Sequence, residues 1–257
     1  MLKFRVIPIV LVDGPNVVKG SEFDNWRRIG TLAPALNVYN TRDVDELILL
    51  DTRASRTGQG FNRRILQQAL GRISVPLSVG GGVGSVEDVA DLIDGGADKV
   101  VIGSALASGS KILEESSSRF GAQALIATIE VRSTPEGGQV CCAFGASKVI
   151  AGSPLELARR YEAAGAGEIM VNSISRDGTM TGFDLAVVDQ VAKAVSIPVI
   201  GAGGAGSTSD FVDLAMSTGA SAGAAGSLFS FTEATPQDVR EALSTAGIPV
   251  RRTRQAF

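Results

Sequence analysis

Val75-Pro-Leu-Ser-Val-Gly-Gly-Gly-Val-Gly-Ser85 and Ile197-Pro-Val-Ile-Gly-Ala-Gly-Gly-Ala-Gly-Ser207 follow one pattern, with Pro76 and Pro198 122 residues apart. Each is a short apolar run, then a glycine cluster, then a serine placed to cap a helix. That order spells strand, turn and helix start. Glu46-Leu-Ile and Glu168-Ile-Met keep the same interval, as do Gly60-Phe61-Asn62 and Gly182-Phe183-Asp184, while Gly103-Ser104 and Gly226-Ser227 match at 123. A 257-residue chain that repeats near half its length reads as two homologous halves, because solenoid repeats are much shorter.

Eight apolar runs fill those halves: Val6–Val12, Glu46–Leu50, Val75–Val79, Lys99–Ile102, Ala124–Val131, Glu168–Val171, Ile197–Gly201 and Ser221–Ala225. Between them lie helical patterns such as Ser85–Asp94 and Pro154–Ala164, with Ser85 and Ser153 as N-caps. Strand–helix alternation at roughly 30-residue spacing predicts βαβ units and a parallel sheet. A doubly wound open sheet is the alternative, but eight near-equal units favour closure into a (β/α)8 TIM barrel. No linker or low-complexity stretch interrupts the chain, so residues 1–257 read as a single barrel domain.

Composition removes several functions. With no histidine, the chain has no Ser-His triad, no histidine base and no His-ligated zinc. A net charge of −3 offers no basic field for nucleic acid. Cys141 and Cys142 are adjacent, which is neither a disulfide framework nor a metal-ligand spacing. Met1-Leu-Lys-Phe-Arg lacks the apolar core of a signal peptide, and no apolar stretch is long enough to span a membrane, so a cytoplasmic protein is expected.

The reactive face of such a barrel lies at the carboxyl ends of its strands. Gly80-Gly81-Gly82 and Gly103-Ser104 follow strands of the first half, and Gly203-Gly204 and Gly226-Ser227 follow strands of the second. Bare glycine backbones let amide N–H groups approach phosphate oxygens, helped by a following helix start. The plain alternative is tight turns that need no ligand. Two clusters at matching places favour two phosphate sites across one mouth. Asp51, Glu130 and Asp177 stand near strand ends as acid/base candidates, against the simpler reading of Asp51 and Asp177 as caps of their turns. Arg5, Glu46, Lys99 and Glu168 stand at strand amino ends, where they form either a surface salt bridge or a charged gate to the barrel interior. Spacing alone does not choose between these.

Seven motifs together resemble the HisF family, the cyclase subunit of imidazole glycerol phosphate synthase. They are Val17-Val-Lys-Gly20, Asp45-Glu-Leu-Ile-Leu-Leu-Asp51, Val79-Gly-Gly-Gly-Val83, Gly96-Ala-Asp-Lys-Val100, Gly165-Ala-Gly-Glu-Ile169, Ser175-Arg-Asp-Gly-Thr179 and Gly203-Gly-Ala-Gly206, and they span the chain. The resemblance implies a barrel of two homologous halves with no metal or cofactor. It implies a HisH-like glutaminase docked at the floor as a heterodimer partner. Ammonia then passes up the barrel to a bisphosphorylated nucleotide precursor, which is cleaved and cyclised. It makes Arg5, Glu46, Lys99 and Glu168 the ammonia gate and puts Asp98 against the glutaminase. Lys19, Asp51 and Asp177 become substrate-binding residues. Gly82, Gly103, Ser104, Gly178, Gly203, Gly204, Gly226 and Ser227 become the phosphate contacts.

The departures from the family pattern fall on its chemistry. Leu11 stands where the family has one of two essential aspartates; Asp13, two residues further and displaced by roughly 6–7 Å, is the nearest substitute. Glu130 replaces the partner aspartate, one methylene longer, and Gly103-Ser104 replaces an Asn-Thr phosphate contact. Glu130 and Asp13 are therefore the expected catalytic pair, with Asp13 expected to cap the turn after the first strand. The stretches Ile7-Pro-Ile-Val-Leu-Val and Tyr39-Asn-x-Arg-Asp-Val-Asp-Glu-Leu-Ile resemble the HisF-like proteins of glycosyl amidation, which turn an acetamido group on a surface-polysaccharide sugar into an acetamidino group. That role is the leading expectation. A true histidine-pathway cyclase and a non-catalytic scaffold that activates a glutaminase are the rivals.

Overall fold

Apolar runs buried on both faces pair only with neighbours that are equally buried, so they assemble as a parallel sheet covered by helices. The computed structural model describes residues 3–251, without the side chains of Ser55 and Arg56. In chain order the strands are β1 (Arg5–Asp13), β2 (Asn16–Ser21), β3 (Asp24–Thr31), β4 (Leu47–Asp51), β5 (Leu77–Gly80), β6 (Lys99–Ile102), β7 (Leu125–Ser133), β8 (Gln139–Ala143), β9 (Lys148–Ile150), β10 (Glu168–Ser173), β11 (Val199–Ala202) and β12 (Ala222–Ala225). Eight of them pair in parallel in the order β1-β4-β5-β6-β7-β10-β11-β12, and β12 returns to β1. This is a closed (β/α)8 barrel.

The strand ends differ from the expected ones by about two residues where proline intervenes. β5 and β11 begin after Pro76 and Pro198, which have no N–H to give to a ladder. Their carbonyls are still used, accepting from Leu47 N–H at 2.9 Å and Ile169 N–H at 3.0 Å. The expected helix caps form: Ser85 accepts from Asp88 N–H and Ser153 from Glu156 N–H, each within a reciprocal capping box.

Period-2 alternation divides the apolar residues between two cores. One lies between barrel and helices and includes Val6, Val10 and Val12 of β1. The other fills the barrel and includes Ile7, Ile9, Ile48, Val101, Ile126 and Met170, with Leu11 and Leu50 packed on top. No helix among the described residues is long and apolar enough to cross a membrane.

Two features go beyond the eight-unit plan. β2 and β3 form an antiparallel hairpin on the end of β1, and β8 and β9 extend β7 in the same way. Both hairpins follow barrel strands at their carboxyl ends, so both stand at the mouth.

Candidate active site at the barrel mouth and a charged floor

The inward residues of the strand ends, the turns after them and the two hairpins enclose a cavity of about 310 Å³. It is lined on the first-half side by Gly82, Gly103 and Ser104, and on the second-half side by Gly178, Gly203, Gly204, Gly226 and Ser227. The sequence therefore places both glycine clusters at one mouth, as the repeat predicts. Gly81 and Gly203 are equivalent in the two halves, and both take positive φ, +105° and +83°. A Cβ at either would strike the backbone of the preceding barrel strand, at Asp51 or Ser173. Only glycine fits there.

The long helices after β5 and β11 are capped by their own Ser85–Asp88 and Ser207–Asp210 pairs. The short helical turns starting at Ser104 and Ser227 follow Gly103 and Gly226 with no side-chain cap. The amides suited to an anion are thus those around Gly103-Ser104 and Gly226-Ser227. The Ser104 Oγ also accepts the Phe144 N–H at 3.0 Å, which ties the β8–β9 turn to the mouth.

Lys19, Glu130 and Asp177 supply the charge. Lys19 rises from β2, is 3% exposed, and donates from Nζ to the Ile9 carbonyl at 3.2 Å. It stands so close to Gly226 that any side chain there would overlap its ammonium. Burial lowers its pKa to about 8 despite the pull of Asp177. Burial pushes Asp177 up to about 6, with Lys19 acting against the shift. Burial, and then the Asp177 charge, pushes Glu130 up to about 7. Glu130 therefore exchanges its proton near neutrality, as a general acid or base must. Its Oε2 has no hydrogen-bond partner and is sealed from solvent, and the same holds for Thr128 Oγ1 and Asn172 Oδ1.

Asp51 lines the cavity and also caps the helix Thr52–Thr57, its Oδ1 accepting from Arg53 and Ala54 N–H, both at 3.0 Å. The cap reading is correct for Asp51. Burial raises its pKa, against those two hydrogen bonds. Leu11 lines the cavity wall, whereas Asp13 closes β1, pairs in register with Asn16 and is not part of the lining. The register leaves the leucine at the mouth and puts the aspartate at the hairpin turn.

At the opposite end the four charged residues form one ring. Arg5 Nη1 donates to Glu46 at 3.1 Å and Arg5 Nη2 to Glu168 at 2.7 Å, while Lys99 Nζ reaches Glu46 at 2.6 Å and Glu168 at 2.5 Å. Each cation bridges both acids, and Glu46 and Glu168 are only 6% and 7% exposed. This is a plug across the barrel floor rather than a solvated surface pair. Burial alone would raise Glu168; the hydrogen bonds and charges of Arg5, then of Lys99, hold it below the ordinary carboxylate value. Asp98, exposed on the same side, accepts the Leu77 N–H at 2.8 Å and pins the start of β5.

Sequence reasoning missed the two hairpins and what they carry. Phe23 and Trp26 of the first and Phe144 of the second line the same cavity. In a chain with 5% aromatics, an aromatic in each strand-to-helix insertion was the signal available. It missed Thr128 and Asn172 as well, which the inward alternation of their strands would have identified.

Comparison with known proteins agrees with this geometry. The model of the family described as "Histidine biosynthesis protein" matches residues 5–235. The chain is 40% identical over 254 residues to the imidazole glycerol phosphate synthase subunit HisF of Corynebacterium glutamicum strain R, covering 96% of this chain and 98% of that one. It is 39% identical to the protein of the same name from Corynebacterium diphtheriae, with the same coverage. It is 36% identical over 251 residues to a Campylobacter jejuni protein named hisF2, provisionally described as an imidazole glycerol phosphate synthase subunit, with 98% and 99% coverage. The plugged floor, the paired glycine turns and this end-to-end likeness make the chain a member of the HisF family.

Proposed function

We propose that the chain is the ammonia-using subunit of a glutamine amidotransferase pair. A HisH-like glutaminase docks on the floor around Asp98, ammonia passes the ring of Arg5, Glu46, Lys99 and Glu168, and the mouth holds a phosphorylated, sugar-type substrate. Glu130 is the group that gives or takes a proton. Lys19, Asp51 and Asp177 orient the substrate, and the turns at Gly103-Ser104 and Gly226-Ser227 take its anionic ends.

The observation that carries the finer reading is Leu11 in the cavity wall. The mouth presents one acid/base group of raised pKa near strand ends one and five, where the histidine-pathway cyclisation needs two. This favours the glycosyl amidation role, in which an acetamido group becomes an acetamidino group. The test is to supply ammonium with a nucleotide-linked acetamido sugar and look for the acetamidino product by mass spectrometry. The competing assay supplies ammonium with the bisphosphorylated cyclase precursor, and robust turnover there sinks the amidation reading.

The cyclase reading keeps specific support from the names of the relatives at 39–40% identity. It requires Asp13, whose charge is close enough to raise Asp51, to serve as the second acid from the hairpin turn. A scaffold that only activates a glutaminase predicts that removing Glu130 and Asp51 together leaves product yield unchanged.

A further inference from the structure

Three orphaned polar atoms share the inward face of two adjacent strands. Asn172 of β10 is the register partner of Glu130 of β7, and Thr128 lies two residues below Glu130 on the same inward face. All three side chains line the cavity, and Thr128 Oγ1, Glu130 Oε2 and Asn172 Oδ1 are all shut off from solvent without partners. The surroundings leave them room. Gly103 offers no side chain to the wall beside Glu130 and Thr128, each an ordinary contact distance of 3.8 Å from where its Cβ would be. Gly203 does the same beside Asn172, whose Oδ1 any Cβ there would strike.

Read upward along these two strands, the inward residues are Glu168, Met170 and Asn172 on β10, and Ile126, Thr128 and Glu130 on β7. A charged floor is followed by an apolar stretch, and the three orphans are the first polar atoms above it. Every one of them can accept a hydrogen bond. A compact donor carrying several N–H bonds would satisfy all three at once.

We propose that Thr128, Glu130 and Asn172 form a nitrogen-holding pocket at the upper end of the barrel interior, which takes ammonium or ammonia through hydrogen bonds to these three oxygens. A Glu130 carboxylate accepts one proton from a bound ammonium, leaving neutral ammonia and a protonated carboxyl, so that the nitrogen lone pair is freed where the substrate lies. Asp177, Lys19 and Asp51 line the same cavity and set the field in which that exchange occurs. The pocket deepens the ammonia-using function proposed above and rests on it for its purpose, though its ligand is tested directly.

The test uses the purified full-length chain with 13C-labelled glutamate side chains, the Glu130 carboxyl signal being assigned by its loss in Glu130→Gln. Titration with ammonium chloride near pH 7 is compared with sodium chloride at matched ionic strength. A saturable response to ammonium alone is expected, weakened by about tenfold in Thr128→Val and in Asn172→Ala and kept in Thr128→Ser. Equal responses to ammonium and sodium overturn the pocket, and so does an unweakened response in both the Val and the Ala variants. The two proposals fail separately. If ammonium binds but a reconstituted glutaminase complex transfers no nitrogen, the function falls and the pocket stands; if nitrogen is transferred with no ammonium-specific response, the pocket falls alone.

Discussion

Glu130 holds its proton up to about 7 in the folded chain, against an ordinary value of 4.5. Below that ordinary value, folded and unfolded states are both protonated and the raised pKa withdraws nothing from stability. As pH rises from there to about 7, the unfolded state releases the proton first, so each step favours unfolding. Replacing Glu130 with Gln keeps the shape of the protonated acid and removes the titration. Glu130→Gln is therefore expected to melt close to the wild type near pH 5 and progressively above it by pH 8, by at most about 3 kcal/mol. Asp177 is pushed up for the same reason, but it is common to both proteins. Thermal melts at three pH values check this, and a gap that stays constant with pH means that Glu130 is ionised throughout. The same residue shows what the sequence withholds. That an acid stands late in the fifth barrel strand is legible from its place in the run; that it lies beside Gly103 and Asn172 is not, because only the closed barrel brings them together.

At the level of elements, the eight barrel strands were readable because each is an apolar run bounded by turns, and the halves because their glycine turns repeat. The β2–β3 and β8–β9 hairpins were not. β3 is mostly exposed and β9 is only three residues long, so neither carries the alternation that marks a half-buried strand. The order in which the proposed anion sites fill belongs to this scale as well. Lys19 reaches the second-half turn at Gly226 from β2, whereas Gly103 brings no side chain to the first-half turn. Sulfate is expected to occupy the turn of Gly204, Gly226 and Ser227 at lower concentration than the turn of Gly82, Gly103 and Ser104. Lys19→Met should bring the two closer together, by about tenfold. Crystals equilibrated over a sulfate series give the answer, and filling of the first-half turn first reverses the assignment.

For the whole molecule, floor and mouth work together only if ammonia crosses between them. Lys99→Ala removes one bridge from the ring, while Arg5 still joins both glutamates. The chain should lose about 3–5 kcal/mol of stability, since the two buried glutamates keep only Arg5 as counter-charge, yet remain folded. In a glutaminase complex glutamate release should exceed aminated product; equal stoichiometry in the mutant refutes the gate. In the proposed function, Leu11 is the residue that separates amidation from cyclisation. β1 is held in register on both sides, by Pro8 against Ala225 and by Leu11 against Leu50, so a two-residue slip that would bring Asp13 into the cavity must break both ladders at once. It would also unseat the β2 hairpin that carries Lys19, since Asp13 is paired there with Asn16. The mouth therefore keeps an apolar wall opposite Glu130, and a cyclisation that needs a proton acceptor on each side should run slower by orders of magnitude, about 100-fold or more. The unmodified chain is expected not to restore growth without histidine to a strain lacking its cyclase subunit. Leu11→Asp, which puts a carboxylate on that wall without moving the strand, is expected to restore part of the turnover in the ammonium-dependent assay. Growth on the unmodified chain would show that Glu130 and the hairpin-turn aspartate suffice, and would return the protein to the histidine pathway.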